Sequence, residues 1–133
     1  SHQQQQVRTQ LSFVLQAVFC QQLLPRANGR GRVLACEVMI ANAAIRALIR
    51  DNKAHQIYSL LQTGGKFGMK TMNQSLFELY QANFITFDEA MGHTSDPDDL
   101  KRTFQRYPNQ PGAAGAPAVA APPRRASSPA RNG

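Results

Sequence analysis

Two arginines, Arg46 and Arg50, stand four positions apart and could act together on an acidic group. Residues at this spacing share one face of an α-helix, and guanidinium groups bind carboxylates and phosphates through paired donors. Apolar residues recur at the helical period in the same stretch, at Ile45, Leu48 and Ile49. Residues 44–51 therefore predict a short helix with an apolar base and two exposed arginines, begun by Asn42 as N-cap. The alternative is an ordinary surface helix with solvated arginines.

Other patterns that support catalysis or ligand binding are incomplete. The pair Gly65-Lys66 is followed by Phe67 and lacks the first glycine of a phosphate-binding loop. The turn at residues 29–31 lacks the third glycine of a dinucleotide fingerprint. His55 and His93 have no metal-ligand spacing to each other or to a cysteine. We therefore predict no catalytic residue, no cofactor-binding residue and no metal ligand in this chain.

Length and charge bound the remaining possibilities. The chain has 133 residues, which fits one domain, and a net charge of +7, which favours acidic partners. The basic residues are scattered along the sequence, so nucleic-acid binding is permitted but not indicated. Cys20 and Cys36 predict buried thiols in a reducing compartment. No apolar run approaches the length of a membrane-spanning helix and the polar N-terminus is no signal peptide, so we expect a soluble cytoplasmic protein. The sequence begins without methionine, which suggests a piece of a longer polypeptide.

Periodicity predicts the elements that would position the arginine pair. An amphipathic helix over residues 5–20 precedes a β-hairpin whose strands, 22–26 and 32–40, flank a glycine-containing turn. The second strand is nearly continuous in apolar residues, which suits burial on both faces. Two strands cannot bury it, so we expect further strands outside this chain.

The second half of the sequence predicts a helical subdomain. Beyond the arginine helix, a helix resumes near residue 57 and stops at glycine 64, and another covers 70–82. Thr86 and Glu89 fit a capping box that opens the next helix, and Asp96 with Pro97 opens the last. From residue 107 the sequence is rich in proline, alanine, glycine and serine, which predicts a disordered tail.

Five blocks in one register resemble the type IV pilus retraction ATPases of the PilT family. Residues 44–51 resemble the family signature Ala-Ile-Arg-Asn-Leu-Ile-Arg-Glu, and 21–26 are similar to its Q-x-L-x-P-R stretch. Residues 31–38 resemble G-R-x-x-A-x-E-[VI], residues 55–57 follow at the expected place, and 67–76 resemble G-M-x-T-M-x-Q-S-L. The sequence departs from the family at Ala47, Asp51 and Asn73, so the family's contacts are not carried over to positions 47 and 51.

The resemblance implies an α+β fragment of a RecA-like motor ATPase. Residues 1–41 would be the C-terminal end of the RecA-like core, 42–106 a helical subdomain and 107–133 the disordered tail. The family's ATP and Mg²⁺ sites would lie outside this chain, which would be no enzyme by itself. The matching signature positions, to which the family's role in retraction is carried over, are Ala44, Ile45, Arg46, Leu48, Ile49 and Arg50.

The function implied is the C-terminal region of a hexameric pilus retraction motor, active in twitching motility at the cytoplasmic face of the inner membrane. Its partners would be other copies and the pilus inner-membrane machinery, with no specific nucleic acid and no membrane insertion. A paralogous pilus or secretion ATPase is an alternative within the superfamily. The alternative from another class is a stand-alone basic module that binds nucleic acid or an acidic partner through Arg46, Arg50, Lys53 and the hairpin over 26–32.

Overall fold

The computed structural model describes residues 1–108, which form an α+β arrangement of helices around one β-hairpin. In chain order these are α1 His2–Val14, β1 Ala17–Pro25, β2 Arg32–Ile40, α2 Ala43–Arg50, α3 Ile57–Thr63, α4 Met72–Gln81, α5 Phe87–Gly92 and α6 Pro97–Arg106, with 3₁₀ turns at Ala54–Gln56 and Gly65–Phe67. The α+β class is confirmed. The predicted disorder of residues 107–133 lies outside the described residues except at Tyr107 and Pro108. No helix in the described part is long and apolar enough to cross a membrane.

The hairpin begins earlier than predicted. The predicted helix over residues 5–20 was wrong beyond Val14, because Ala17 to Cys20 pair with the end of β2, Ala17 opposite Ile40. Val18 fits the helical period, but nine cross-strand pairs stabilise the extended form instead. Gly29 and Gly31 carry the turn with φ of 71° and 74°, which non-glycine residues rarely adopt.

One face of the hairpin packs on the helices of the second half. Residues directly opposite each other in an antiparallel pair share a face, as Leu24 and Val33 do here. A buried cluster joins this inner face to α4, α5 and α6, and its members are Leu24, Ala35, Met72, Leu76, Ile85, Ala90 and Leu100. The Glu37 carboxylate also accepts a hydrogen bond from the Met72 amide at 3.1 Å, which ties β2 to the start of α4.

The opposite face of the hairpin carries exposed apolar side chains, as expected for a strand that two strands alone cannot bury. Phe19 and Leu23 are 62 % and 59 % exposed, and Leu34 opposite Leu23 is exposed as well. Among the described residues β1 pairs only with β2, which leaves its other edge unpaired. The edge of β2 is partly covered, since Val38 exchanges backbone hydrogen bonds with Lys70. The reason is that a two-stranded hairpin cannot cover its own faces and needs another element packed on each of them.

The helix starts confirm one prediction and correct another. Asp96 caps α6 through the Asp99 amide at 3.0 Å, with Pro97 at the first helical position. Thr86 caps α5 by accepting from the Glu89 amide, but the Glu89 side chain contacts His93 instead of returning to Thr86. The predicted capping box at α5 is therefore only half formed. A complete box stands at α4, where Thr71 and Gln74 satisfy each other's backbone amides.

Candidate functional site: the paired helices α1 and α2

The signature helix α2 forms as predicted at its start and on its apolar side. Asn42 accepts a hydrogen bond from the Ile45 amide at 3.0 Å, which fixes the first turn. Ile45 and Ile49 are buried in a second cluster, whose other members are Ala41, Leu61 and Met69, and Leu60 packs against it. The apolar base of α2 therefore attaches it to α3 and to the segment before α4.

Arg46 is not the exposed cation that the sequence predicts. Its Nη1 donates to the Ser12 carbonyl at 2.7 Å and to the Phe13 carbonyl at 2.9 Å, both in the last turn of α1. The side chain is half-buried between the two helices. The prediction of an exposed pair was wrong at this position because α1, unpartnered in the sequence analysis, lies against α2.

The hydrogen bonds between the two helices run in both directions. Arg46 donates to the C-terminal turn of α1, and the Gln5 amide of α1 donates to the Arg50 carbonyl at the end of α2, at 3.2 Å. Residue 5 near residue 50, with residue 12 near residue 46, makes the pair antiparallel. Each helix thus supplies a side-chain donor to the unsatisfied carbonyls of the other. The Arg50 side chain itself is exposed, and its Nε lies 3.7 Å from the Asp51 carboxylate.

The face of α1 that lies against α2 is polar. Ser12 is buried and Thr9 and Arg8 are half-buried, whereas the apolar stripe of the same helix points to solvent. Val7 is 61 % exposed and Val14 is 69 % exposed, with Leu11 between them also exposed. This burial is the reverse of what an amphipathic helix shows on the surface of a finished domain. The apolar stripe predicted for this helix is present up to Val14, but nothing among the described residues covers it.

A polar network holds the helices behind α2 together. The Asp99 carboxylate accepts hydrogen bonds from Tyr58 at 2.9 Å, from the Asn73 amide at 2.8 Å and from Gln62 at 3.2 Å. It therefore joins α3, α4 and α6 at one point. Burial, followed by the hydrogen bond to Asp99, raises the pKa of Tyr58 to about 12. No buried side-chain polar atom among the described residues lacks a partner, so this network fixes the three helices relative to one another.

Gly65 and Lys66 do not stand in a phosphate-binding loop. They belong to a 3₁₀ turn, and the Lys66 ammonium lies 5.0 Å from the centre of the Phe67 ring. His93 lies between Gln22 and Glu89, at 3.2 Å and 3.5 Å. Within residues 1–108 no group of three or more potential ligands could hold a metal ion.

The basic-module alternative loses two of its cations to internal contacts. Arg46 is bonded to α1, and Arg26 stacks 5.1 Å from the centre of the Phe84 ring while its Nε donates to the Arg32 carbonyl. Gln5, Ser12 and Asp99 are contact residues that the sequence did not indicate. A polar stripe at positions 5, 9 and 12 was visible in the sequence, but only a known partner helix would have given it meaning.

Three similar proteins are named for twitching motility or for pilus retraction. A twitching motility protein of Neisseria gonorrhoeae is 43 % identical over 98 residues, covering 74 % of this chain and 26 % of that protein. The type IV pilus retraction ATPase PilT of Pseudomonas aeruginosa is 42 % identical over 94 residues, covering 71 % and 27 %. A crystal structure of the pilus retraction motor PilT with bound ADP superposes with a TM-score of 0.66 at 51 % identity, over 75 % of this chain and 27 % of that one.

No protein-family model matches the chain. The chain spans about a quarter of the length of the curated relatives that it matches.

Proposed function

We propose, because this chain is a fragment of the PilT family of pilus retraction ATPases, that it works as the force-transmitting C-terminal part of a hexameric retraction motor. The rest of such a motor would bind ATP and Mg²⁺ and hydrolyse the nucleotide. The motor would act in twitching motility at the cytoplasmic face of the inner membrane, on the pilus machinery. Within it, this chain would convert the movement of the nucleotide-binding core into movement of the helical subdomain.

The observation that carries the proposal is the structural match to the retraction motor over three quarters of this chain. The exposed surfaces support it independently. The apolar stripe of α1 and the outer face of the hairpin are left open on the side away from α2 and the helical cluster. Patches of this kind mark surfaces that another part of a protein covers. A longer polypeptide with a RecA-like core would supply that cover.

A chimera tests the function in the cell. Residues 7–100 of this chain would replace the matching quarter of the P. aeruginosa retraction ATPase, in a strain that lacks its own copy. We expect twitching, measured as expansion of a colony on soft agar, to return. A second chimera with Leu24→Asp, which places a charge in the buried cluster, is the matched control and should not restore it. A well-expressed chimera that hydrolyses ATP but never supports twitching would contradict the proposal.

The chain alone should not hydrolyse ATP, since it lacks the groups that hold the β- and γ-phosphates and Mg²⁺. Phosphate release by purified chain with Mg-ATP is the measurement, and the chimera is the positive control. Magnesium-dependent turnover by the chain alone would overturn the division of labour proposed here.

A further inference from the structure

We infer that Arg46 is a positioning residue that fixes α1 on α2, and that only Arg50 of the signature pair is free to contact a partner. The inference rests on the proposed function for its meaning, because it assigns the two arginines of the retraction signature to different tasks. It rests for its evidence on the contacts at the end of α1.

The C-terminal turn of α1 depends on a donor from outside the helix. Four carbonyls at a helix C-terminus have no partner in the helix, and the negative end of the helix dipole attracts a cation. The Leu15 amide satisfies the Leu11 carbonyl, and the next two carbonyls are satisfied by Arg46 alone. The last turn of α1 contains no basic residue of its own. Arg46 therefore supplies both the missing hydrogen bonds and the missing charge.

Apolar packing does not replace this attachment. The stripe of α1 that could pack by burial, at Val7, Leu11 and Val14, faces away from α2. Of the helix and its C-cap, only Leu15 joins the apolar cluster under α2. The side-chain hydrogen bonds between α1 and α2 among the described residues are the Arg46 contact at one end and the bond from Gln5 to the Arg50 carbonyl at the other. A charged donor is the stronger of the two by about a factor of two.

This geometry separates the two signature arginines by task. A movement of α1, the helix that precedes the hairpin, would be delivered to α2 through the Arg46 guanidinium. Arg50 stands one turn further on, with its side chain 44 % exposed and only a long contact to Asp51. A partner with a carboxylate or other acidic group could reach Arg50 but not Arg46 without displacing α1.

Amide hydrogen exchange, measured on this chain outside the chimera, tests whether Arg46 fixes α1 on α2. Arg46→Ala should speed exchange in α1 by about tenfold, because a lost charge-assisted hydrogen bond opens the helix locally, while α4 and α6 stay unchanged. Arg46→Met, which keeps the aliphatic stem, should behave in the same way, and Arg46→Lys, which keeps a cation with several donors, should restore most of the protection. Arg50→Ala is the matched control and should leave α1 as it is.

Three exchange results would overturn the inference. They are equal acceleration by Arg50→Ala, acceleration spread evenly over all helices, and an α1 that is already unprotected in the unsubstituted chain. None of them bears on whether the chain belongs to a retraction motor, so the two proposals fail separately.

The chimera then tests the consequence for movement. Arg46→Met should keep most of the ATP hydrolysis of the chimera and lose twitching, and Arg46→Lys should recover part of it. A merely structural role would lower the amount of soluble chimera and its hydrolysis together. Loss of both in proportion, or no recovery by lysine while exchange in α1 is restored, would contradict the role assigned to Arg46.

Discussion

Gly64, at the end of α3, is required for space and not for backbone conformation. The helix ends at this glycine as predicted, with a φ of −85° that any residue adopts. A Cβ at this position would lie 2.7 Å from the Leu60 carbonyl oxygen and against the Met69 side chain. The glycine lets the chain pass closely over Met69, which belongs to the cluster under α2.

Gly64→Ala should therefore destabilise the chain by about 1–3 kcal/mol, the usual cost of overpacking a buried site. Gly65→Ala is the matched control, since a Cβ there meets nothing within 4 Å. Urea denaturation followed by circular dichroism gives both free energies of unfolding. A Gly64 variant as stable as the Gly65 variant would show that Met69 moves aside at no cost.

The phenol of Tyr58 makes stability depend on alkaline pH. Its pKa is raised from 10.0 to about 12 by burial and by the bond to Asp99, so the folded chain favours the neutral form. The stabilising contribution is complete below pH 10 and is lost as the pH rises toward 12. Tyr58→Phe removes the group that titrates. We expect the free energy of unfolding to fall less between pH 9.5 and 12 in this variant, and equal slopes would show that Tyr58 is not the group responsible.

At the scale of elements, the two threonine caps differ in how much they contribute. Thr71 is buried and forms a complete box with Gln74, whereas Thr86 is exposed and makes one bond. Thr71→Ala should cost about 2 kcal/mol and Thr86→Ala about 1 kcal/mol or less, the two ends of the range for N-caps. Thermal unfolding of the two variants in parallel checks the order. A larger loss at Thr86 would contradict the capping geometry.

The helix N-caps show what could be predicted from the local sequence. Asn42 and Asp96 stand directly before apolar periodic segments, so their roles follow from a few neighbouring residues. The predicted capping box at Thr86 was only half right because the Glu89 side chain contacts His93, one turn later, instead of the Thr86 amide. The local sequence does not show which of these two contacts is more stable. The box at Thr71 was missed because the predicted helix began at residue 70, one position before the actual cap.

The end of α1 shows why the rest could not be predicted. Val18 continues the helical period of Val7, Leu11 and Val14, so periodicity extends the helix past its true end. Residues 17–20 are extended because they pair with β2, which lies some twenty positions further along the chain. Arg46 escaped prediction for a related reason, since its carbonyl partners belong to an element 33 and 34 residues away.

At the scale of the whole molecule, the two faces of the hairpin differ, since the inner face is buried against the helices and leucines on the outer face are exposed in this chain. Leu24 is fully buried on the inner face, and its neighbour Leu23 is 59 % exposed on the outer face. Both belong to the block that resembles the Q-x-L-x-P-R stretch of the retraction ATPases. Their side chains alternate because successive residues of a strand point to opposite faces.

Leu24→Ala should lower the free energy of unfolding of the chain by about 2–5 kcal/mol, and Leu23→Thr should change it by about 0.5 kcal/mol or less. Leu23→Thr should also reduce binding of a hydrophobic dye by the isolated chain. In the chimera the difference between the two variants should disappear. There the core would cover the outer face of the hairpin, and the threonine hydroxyl would be buried without a partner. We therefore expect both variants to lose twitching. A Leu23→Thr chimera that twitches as well as the unsubstituted one would mean that this face stays open in the motor, and that the exposed leucine serves some other contact.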